Sequence, residues 1–333
     1  MEVAIVGTGK VAERNYIPAL LRHHDVTVSC YSRSPERLHE VADRFGVRAA
    51  SSLEDLLESK PDAVFVLTGE QDRLEASLAV LPFSPKRLFF EKPLVASQGQ
   101  ARVTVQDFWD GKMLLQQAQA SGTEVAMVFN YRFFDQARRA QRLIQERDFG
   151  SPIGVVALSH YATWSHCIDL LLLLGGRLSQ ISGHRGDQVR SHPRSGEAAD
   201  LAASFLLDSG AAGTILGTNG VEWEFPLFEL IVAFERGRIH LRGLDQDLEV
   251  LDHTSGMHEV FRPSRETSRW DKYDASFDKS VAAYLDSIRM GEPPPVPGVA
   301  GLLELQFEAS LGQSITDGTA VLANEMFPIH PVT

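Results

Sequence analysis

Val3-Ala4-Ile5-Val6-Gly7-Thr8-Gly9-Lys10-Val11-Ala12 is the stretch that decides the fold. Four consecutive apolar residues read as a buried strand, and Val11, Ile17, Leu20 and Leu21 beyond them fall at helical spacing. Between strand and helix stands the pattern G-x-G-x-x-A. Gly7 serves a tight turn, Gly9 lets an anionic ligand approach the backbone, and small Ala12 lets helix and strand pack closely. The N-terminus of the following helix then receives the anion. The glycine spacing alone is weak, but at the head of an alternating α/β run it points to a bound dinucleotide cradled by Gly7, Thr8, Gly9, Lys10 and Val11.

Working outward, the apolar run Val26 to Tyr31 leads into Ser34-Pro35-Glu36-Arg37, where Ser34 caps a helix that starts at Pro35. Val47 to Ala50 is a short strand, and Ser52 to Ser59 is a short helix with its own cap. Ala63 to Leu67 is another buried strand, and Arg87 to Phe90 is one more, placed just before Glu91-Lys92-Pro93. Strands alternating with helices predict a parallel sheet. After Val125 to Phe129 the texture changes. Ile153 to His160 reads as a strand, and Ser165 to Leu174 as a short apolar helix with Thr163 and Ser165 as candidate caps. Leu201 to His253 contains several strands broken by glycines. Two late amphipathic segments, Tyr273 to Met290 and Gly301 to Ser314, read as helices separated by a Pro-rich link. The expected architecture is α/β. A Rossmann dinucleotide-binding domain spans residues 1–129, and an α+β domain with an open, mostly antiparallel sheet spans 130–333, its last helices packing back on the first domain.

Composition excludes several classes of function. A chain of 333 residues at ~150 per domain holds about two domains. Its 32 Lys+Arg against 44 Asp+Glu leave a net charge of -12, the wrong sign for gripping a nucleic-acid backbone. Cys30 and Cys167 lie far apart without metal-ligand spacing, so no metal site is expected and a reducing compartment is. The conspicuous apolar run Leu170 to Leu174 is far short of the ~20 residues that span a bilayer, and no basic leader precedes Val3. A cytoplasmic protein acting on a small molecule is the expectation.

The end of the second strand bears on the cofactor, because a carboxylate there accepts bonds from the ribose hydroxyls and repels a 2′-phosphate. Here the residues are Ser32, Arg33 and Ser34, with no acid among them. Arg33 can pair with a phosphate and the two serines can donate to it, so NADP is favoured over NAD.

With Glu91-Lys92-Pro93, about 80 residues after the glycine loop, the chain resembles the Gfo/Idh/MocA oxidoreductases. Asn130-Tyr131-Arg132-Phe133, His166-Cys167-Ile168-Asp169 and the run from Gly301 to Ser310 extend the resemblance over nearly the whole chain. It implies that Lys92 stands beside nicotinamide and substrate as the catalytic residue, with the proline commonly preceded by a cis peptide bond. It implies that His166 binds substrate or relays a proton, that Tyr131 and Arg132 face an oxygen-rich substrate, and that the open sheet pairs with a second copy in a homodimer or homotetramer. Thr68 and Glu91 join the cofactor-contacting set. The chemistry agrees independently, since hydride transfer to a carbonyl leaves an alkoxide that a partly desolvated lysine can protonate.

Three departures stand out. The Asp expected four residues before His166 is Ala162, so His160 or Asp169 are the candidates to replace it in part. Thr68-Gly69-Glu70 stands where Thr-Pro-Asn is usual, and Arg73 stands in place of a His. Trp164 either stacks on a sugar ring or fills space. The expected function is NADP(H)-dependent hydride transfer at a carbon bearing a hydroxyl or ketone, on a sugar, cyclitol or sugar-like metabolite. Reduction of a C=N bond is the first alternative, and a catalytically silent NADP-binding sensor the second.

Overall fold

A computed structural model describes residues 1–193, 195–243, 245–264 and 266–329. The first sheet is parallel. Its strands are β1 (Glu2–Val6), β2 (Thr27–Tyr31), β3 (Arg48–Ala49), β4 (Ala63–Val66), β5 (Arg87–Glu91) and β6 (Glu124–Val128), in the spatial order β3-β2-β1-β4-β5-β6. The chain reverses direction across the sheet between β1 and β4, which opens a crevice at their carboxyl ends. Sequence reading anticipated each of these strands to within a residue or two where it placed one, because all are short apolar runs closed by turn residues.

The connecting helices obey their caps. Ser34 Oγ accepts from Arg37 N (3.4 Å) at the start of α2 (Pro35–Phe45), after α1 (Ile17–Leu21). Ser52 Oγ accepts from Asp55 N (3.1 Å) at the start of α3 (Leu53–Leu57). Next come α4 (Arg73–Val80) and α5 (Val105–Ala120), the latter opened by a reciprocal Thr104/Asp107 cap. The helix after the glycine loop is not regular. Residues Ala12–Tyr16 form a π-helical turn in which Ile17 N donates to Ala12 O, one residue wider than an α-helical bond. Pro18, lacking an N–H, cannot complete an ordinary ladder at this point.

Beyond β6 lie α6 (Asp135–Glu146), β7 (Pro152–His160) and α7 (Trp164–Gly175). The second sheet continues through β8 (Leu178–His192), β9 (Gly196–Leu207), β10 (Ala212–Thr218), β11 (Phe228–Phe234), β12 (Gly237–Arg242), β13 (Leu248–Asp252) and β14 (Met257–Phe261). After α8 (Arg269–Met290) and α9 (Val299–Asp317), short β15 (Val321–Leu322) completes it ahead of α10 (Ala323–Met326). The nine strands lie in the order β14-β13-β12-β11-β7-β10-β9-β8-β15, and only the β7/β10 pair is parallel.

Alternation along β7 and β10 buries Val155, Ala157 and Ile215 and turns Val156 and Leu216 to the other face. The buried face is covered by α7, and α9 lies against both α7 and α5. A Cβ on Gly111 would come within 2.9 Å of Leu305 Cδ1, so a larger residue there would have to displace the Leu305 side chain between α5 and α9. The late helices therefore pack back on the first sheet's helices.

The expected caps of α7 are corrected by the structure. Thr163 Oγ1 donates to the carbonyls of His160 and Leu227 (both 3.0 Å) and caps nothing, while Ser165 lies inside the helix. A short 3-10 turn over Tyr161–Thr163 leads into α7, and His160 Nδ1 caps it by accepting from Ala162 N (3.0 Å). Among the described residues, no helix is long and apolar enough to cross a membrane.

Candidate active site

Two cavities flank the glycine loop. The first, about 400 Å³, lies at the carboxyl ends of β1, β2 and β4 and is lined by Gly7, Thr8, Gly9, Ser32, Arg33, Ser34 and Thr68. Gly7 has φ 101°, and a Cβ on it would meet Thr68 N at 2.8 Å, so only glycine makes this turn. At Gly9 the space where a Cβ would point is open, which leaves room for a ligand against the backbone. Thr8 Oγ1 and Thr68 Oγ1 are buried without a protein partner. A dinucleotide fits this set of residues. Its phosphate oxygens suit the open backbone at Gly9, and its polar groups suit the two orphaned hydroxyls.

At the rim of this cavity Arg33 is exposed and donates to Asp72 Oδ2 (2.6 Å), with Glu75 at 3.9 Å. The carboxylate missing from the end of β2 is thus supplied to Arg33 from the start of α4. Sequence reading had no means to foresee this pair.

The second cavity, about 350 Å³, is lined by Lys10, Val11, Asn15, Lys92, Gln100, Tyr131, Ala162 and His166, and closed by Trp223, Trp270 and Tyr273. Lys92 follows the last residue of β5 and is joined to Pro93 by a cis peptide bond. Glu91 does not point at the cleft. Its Oε1 accepts from Tyr16 OH (2.5 Å) and its Oε2 from Lys92 N (3.0 Å), so it fixes the backbone that carries the lysine. Arg73, the departure noted above, is buried and donates to the carbonyls of Pro93 and Thr68, tying β4 to the turn after β5. Lys92 Nζ donates to Gln100 Oε1 (2.6 Å). Burial lowers the lysine from its ordinary value, and the carboxylates of Glu91, Glu70 and Glu304 oppose that shift. His166 is buried in the same cleft. Desolvation, reinforced by Lys92, holds it well below the ordinary imidazole value, so its ring is neutral. Its Nδ1 has no protein partner.

Residues 1–119 match the family model described as "Oxidoreductase family, NAD-binding Rossmann fold". The match places this unit, residues 1–119, with the Rossmann domains of the Gfo/Idh/MocA oxidoreductases. No curated protein matches the sequence. Among solved structures, the chain is similar to an oxidoreductase from Agrobacterium radiobacter in complex with NAD+, L-tartaric acid and magnesium. That match has TM-score 0.80 and 16% identity over 98% of this chain and 99% of that one. It is also similar to the WlbA dehydrogenase from Bordetella pertussis in complex with NADH and UDP-GlcNAcA (TM-score 0.76, 18% identity, 96% and 97% covered). A levoglucosan dehydrogenase bound to NADH and levoglucosan aligns with TM-score 0.77 and 14% identity over 96% and 98%. At such identities the likeness establishes a common fold.

Against the Gfo/Idh/MocA pattern, four of the expected substrate-contacting residues sit elsewhere. Arg132 and Asp169 are consumed by each other: Arg132 Nε and Nη2 donate to Asp169 Oδ2 (2.8 Å) and Oδ1 (2.5 Å) in a buried two-pronged pair. Burial raises the Asp169 carboxyl, and Arg132 opposes that shift. Trp164 is core. Its Nε1 donates to Glu308 Oε2 (3.1 Å) and its ring packs edge-on to Tyr161. His160 is fully buried behind Trp223, 5.6 Å between ring centroids, and does not line the cleft. None of these four can replace the Asp absent at Ala162. Tyr131, by contrast, lines the cleft and stacks on His166. Sequence reading missed Gln100, Trp223, Trp270 and Tyr273. Gln100, Trp223 and Trp270 carry no periodic or motif signal, the amphipathic pattern that begins at Tyr273 does not say what it faces, and only the folded chain brings them to Lys92.

Proposed function

We propose that this oxidoreductase exchanges hydride between NADP(H) and a carbon bearing a hydroxyl or ketone on a sugar, cyclitol or sugar-like metabolite. The observation that carries the reading is Lys92, a half-buried, desolvated lysine beside a neutral imidazole in the cleft adjoining the Gly7–Gly9 cradle. Gly7, Thr8, Gly9, Lys10, Val11 and Thr68 would hold the dinucleotide, which when bound supplies hydride exchange. Lys92 accepts the hydroxyl proton as an alcohol is oxidised, and returns it to the oxygen as a carbonyl is reduced. Gln100 positions the amine, and His166 binds the same oxygen or a neighbouring hydroxyl. Trp223, Trp270 and Tyr273 offer flat apolar walls suited to the C–H face of a sugar ring. Solved relatives with sugar ligands support that substrate class.

Ser32, Arg33 and Ser34 support NADP. A 2′-phosphate would take the place of Asp72 at the Arg33 guanidinium, whereas NAD would leave that ion pair intact. The exposed apolar residues Val156 and Leu216 on the open face of the second sheet support pairing with a second copy. Two buried, unpaired cysteines support a reducing, cytoplasmic setting.

The experiment is a panel of sugars, cyclitols, nucleotide sugars and cyclic imines with NADP+ or NADPH, read by absorbance of the reduced nicotinamide. Turnover of a polyol or its ketone is expected. Turnover confined to imines moves the reading to C=N reduction, which needs no partner for His166 Nδ1. Ligand binding with no turnover of any class makes the protein a sensor.

A further inference from the structure

A second polar cavity, lined in part by Arg132, shares no lining residue with the active-site cleft. It measures about 340 Å³. One wall is a stripe of α6, where Arg138, Gln141, Arg142 and Gln145 follow one another at helical spacing. Leu173 near the end of α7, the Pro295-Val296 segment and Arg132 complete the lining.

The charges on this wall are unbalanced. Arg138 and Arg142 stand four residues apart on one helix face, where like charges repel. Among the described residues, Arg138 has no side-chain hydrogen bond or ion pair, and Arg142 has only a 3.7 Å contact with exposed Glu146. Among the described residues no carboxylate lines the cavity. Arg132 gives Nε and Nη2 to Asp169, which leaves Nη1 without a hydrogen-bond partner among the described residues. Its side chain is only 16% exposed and held by Asp169, so it is a pre-oriented group and not a mobile surface one. In a chain of net charge -12, three arginines and two neutral amides converge on one recess.

We propose that this recess is a binding site for a small phosphorylated ligand, separate from the dinucleotide cradle and from the substrate cleft. Guanidinium forks match phosphoryl oxygens two at a time, and an anion between Arg138 and Arg142 removes their mutual repulsion. Gln141 and Gln145 supply neutral donors beside them. The volume exceeds what a single phosphate fills, which suits a diphosphate or a phosphorylated metabolite. This assignment is independent of the reaction proposed above.

The test is isothermal titration of inorganic pyrophosphate into the full chain at fixed ionic strength, in wild type and in the Arg138→Ala/Arg142→Ala double variant. Both side chains are exposed, and a thermal melt checks that the variant folds. Gln141→Glu, which places a carboxylate in the recess, is a second surface variant that tests the same point. Binding in the wild type that weakens roughly tenfold or more in both variants is expected. Binding of equal strength in all three proteins would assign the pyrophosphate to the Gly7–Gly9 cradle and overturn the proposal, as would no binding at all. Tighter binding of citrate than of pyrophosphate would give the recess to carboxylates and overturn the phosphoryl assignment.

Discussion

The rings of Tyr131 and His166 lie face to face, 3.8 Å between centroids and 6° from parallel. With Ala162 where a carboxylate would otherwise orient the imidazole, ring stacking orients it instead. Phe129 closes the other approach edge-on at 6.1 Å. A flat partner is therefore needed and its hydroxyl is not. Tyr131→Phe should keep turnover within a few fold, whereas Tyr131→Leu should lower it by ~10 to 10² as the imidazole loses its alignment. Steady-state rates on the substrate identified from the panel check this, and equal losses in both variants would place the requirement on the hydroxyl.

Lys92→Ala should lower turnover by ~10² to 10⁴ while leaving NADPH affinity nearly unchanged, because Lys92 lines the cleft and not the dinucleotide cavity. The sign of the pH dependence follows from the burial of Lys92. Burial favours the neutral amine, so alcohol oxidation should rise with pH through a pKa below the ordinary lysine value, and carbonyl reduction should fall over the same interval. The variant should lack this limb. A full-activity Lys92→Ala enzyme would move the proton to another donor.

Arg33 is held by Asp72 at 2.6 Å, which predicts opposite effects of two substitutions. Arg33→Asp should remove or reverse the preference for NADPH over NADH. Asp72→Asn frees the guanidinium and should sharpen that preference. Fluorescence titration of both nucleotides measures the ratio, and equal affinities in the wild type would remove the basis for NADP.

The Arg132–Asp169 pair is largely buried, and removing one member leaves the other charged without its partner. Asp169→Ala should cost about 3–5 kcal/mol of stability. Denaturant unfolding gives this value directly. A loss below about 1 kcal/mol would mean that water reaches the orphaned guanidinium.

His160 makes the protein sensitive to acid. Its folded pKa is lowered to about 4 by burial and by His192, against an unfolded value near 6.5. The unfolded chain thus binds a proton over this interval that the folded chain refuses, so stability is complete above the unfolded value and is lost as pH falls from 6.5 toward 4. The contribution is about 3 kcal/mol at full shift. His160→Asn keeps an acceptor for Ala162 N and should flatten this part of the stability–pH curve. An unchanged slope would assign the acid sensitivity to other groups, buried His166 first among them.

What the sequence determined by itself was whatever depends on residues a few positions apart. The turn at Gly7, the caps at Ser34 and Ser52, and the alternation of apolar runs with helices are local, so the parallel sheet and its crevice follow from the order of residues alone. Lys92 was readable because a short motif carries it. The fates of individual side chains on α7 were not. Trp164, His166 and Asp169 lie within six residues of one another, yet they go to Glu308 on α9, to the cleft, and to Arg132 before α6. Helical spacing puts His166 and Asp169 on one face, but it does not say that Asp169, one turn deeper, meets a buried guanidinium while His166 reaches an open cavity. Those partners are 37 and 144 residues away along the chain for Asp169 and Trp164. A buried polar group must be paired by whatever the fold brings beside it, and only the packing of α6, α7 and α9 decides which group that is.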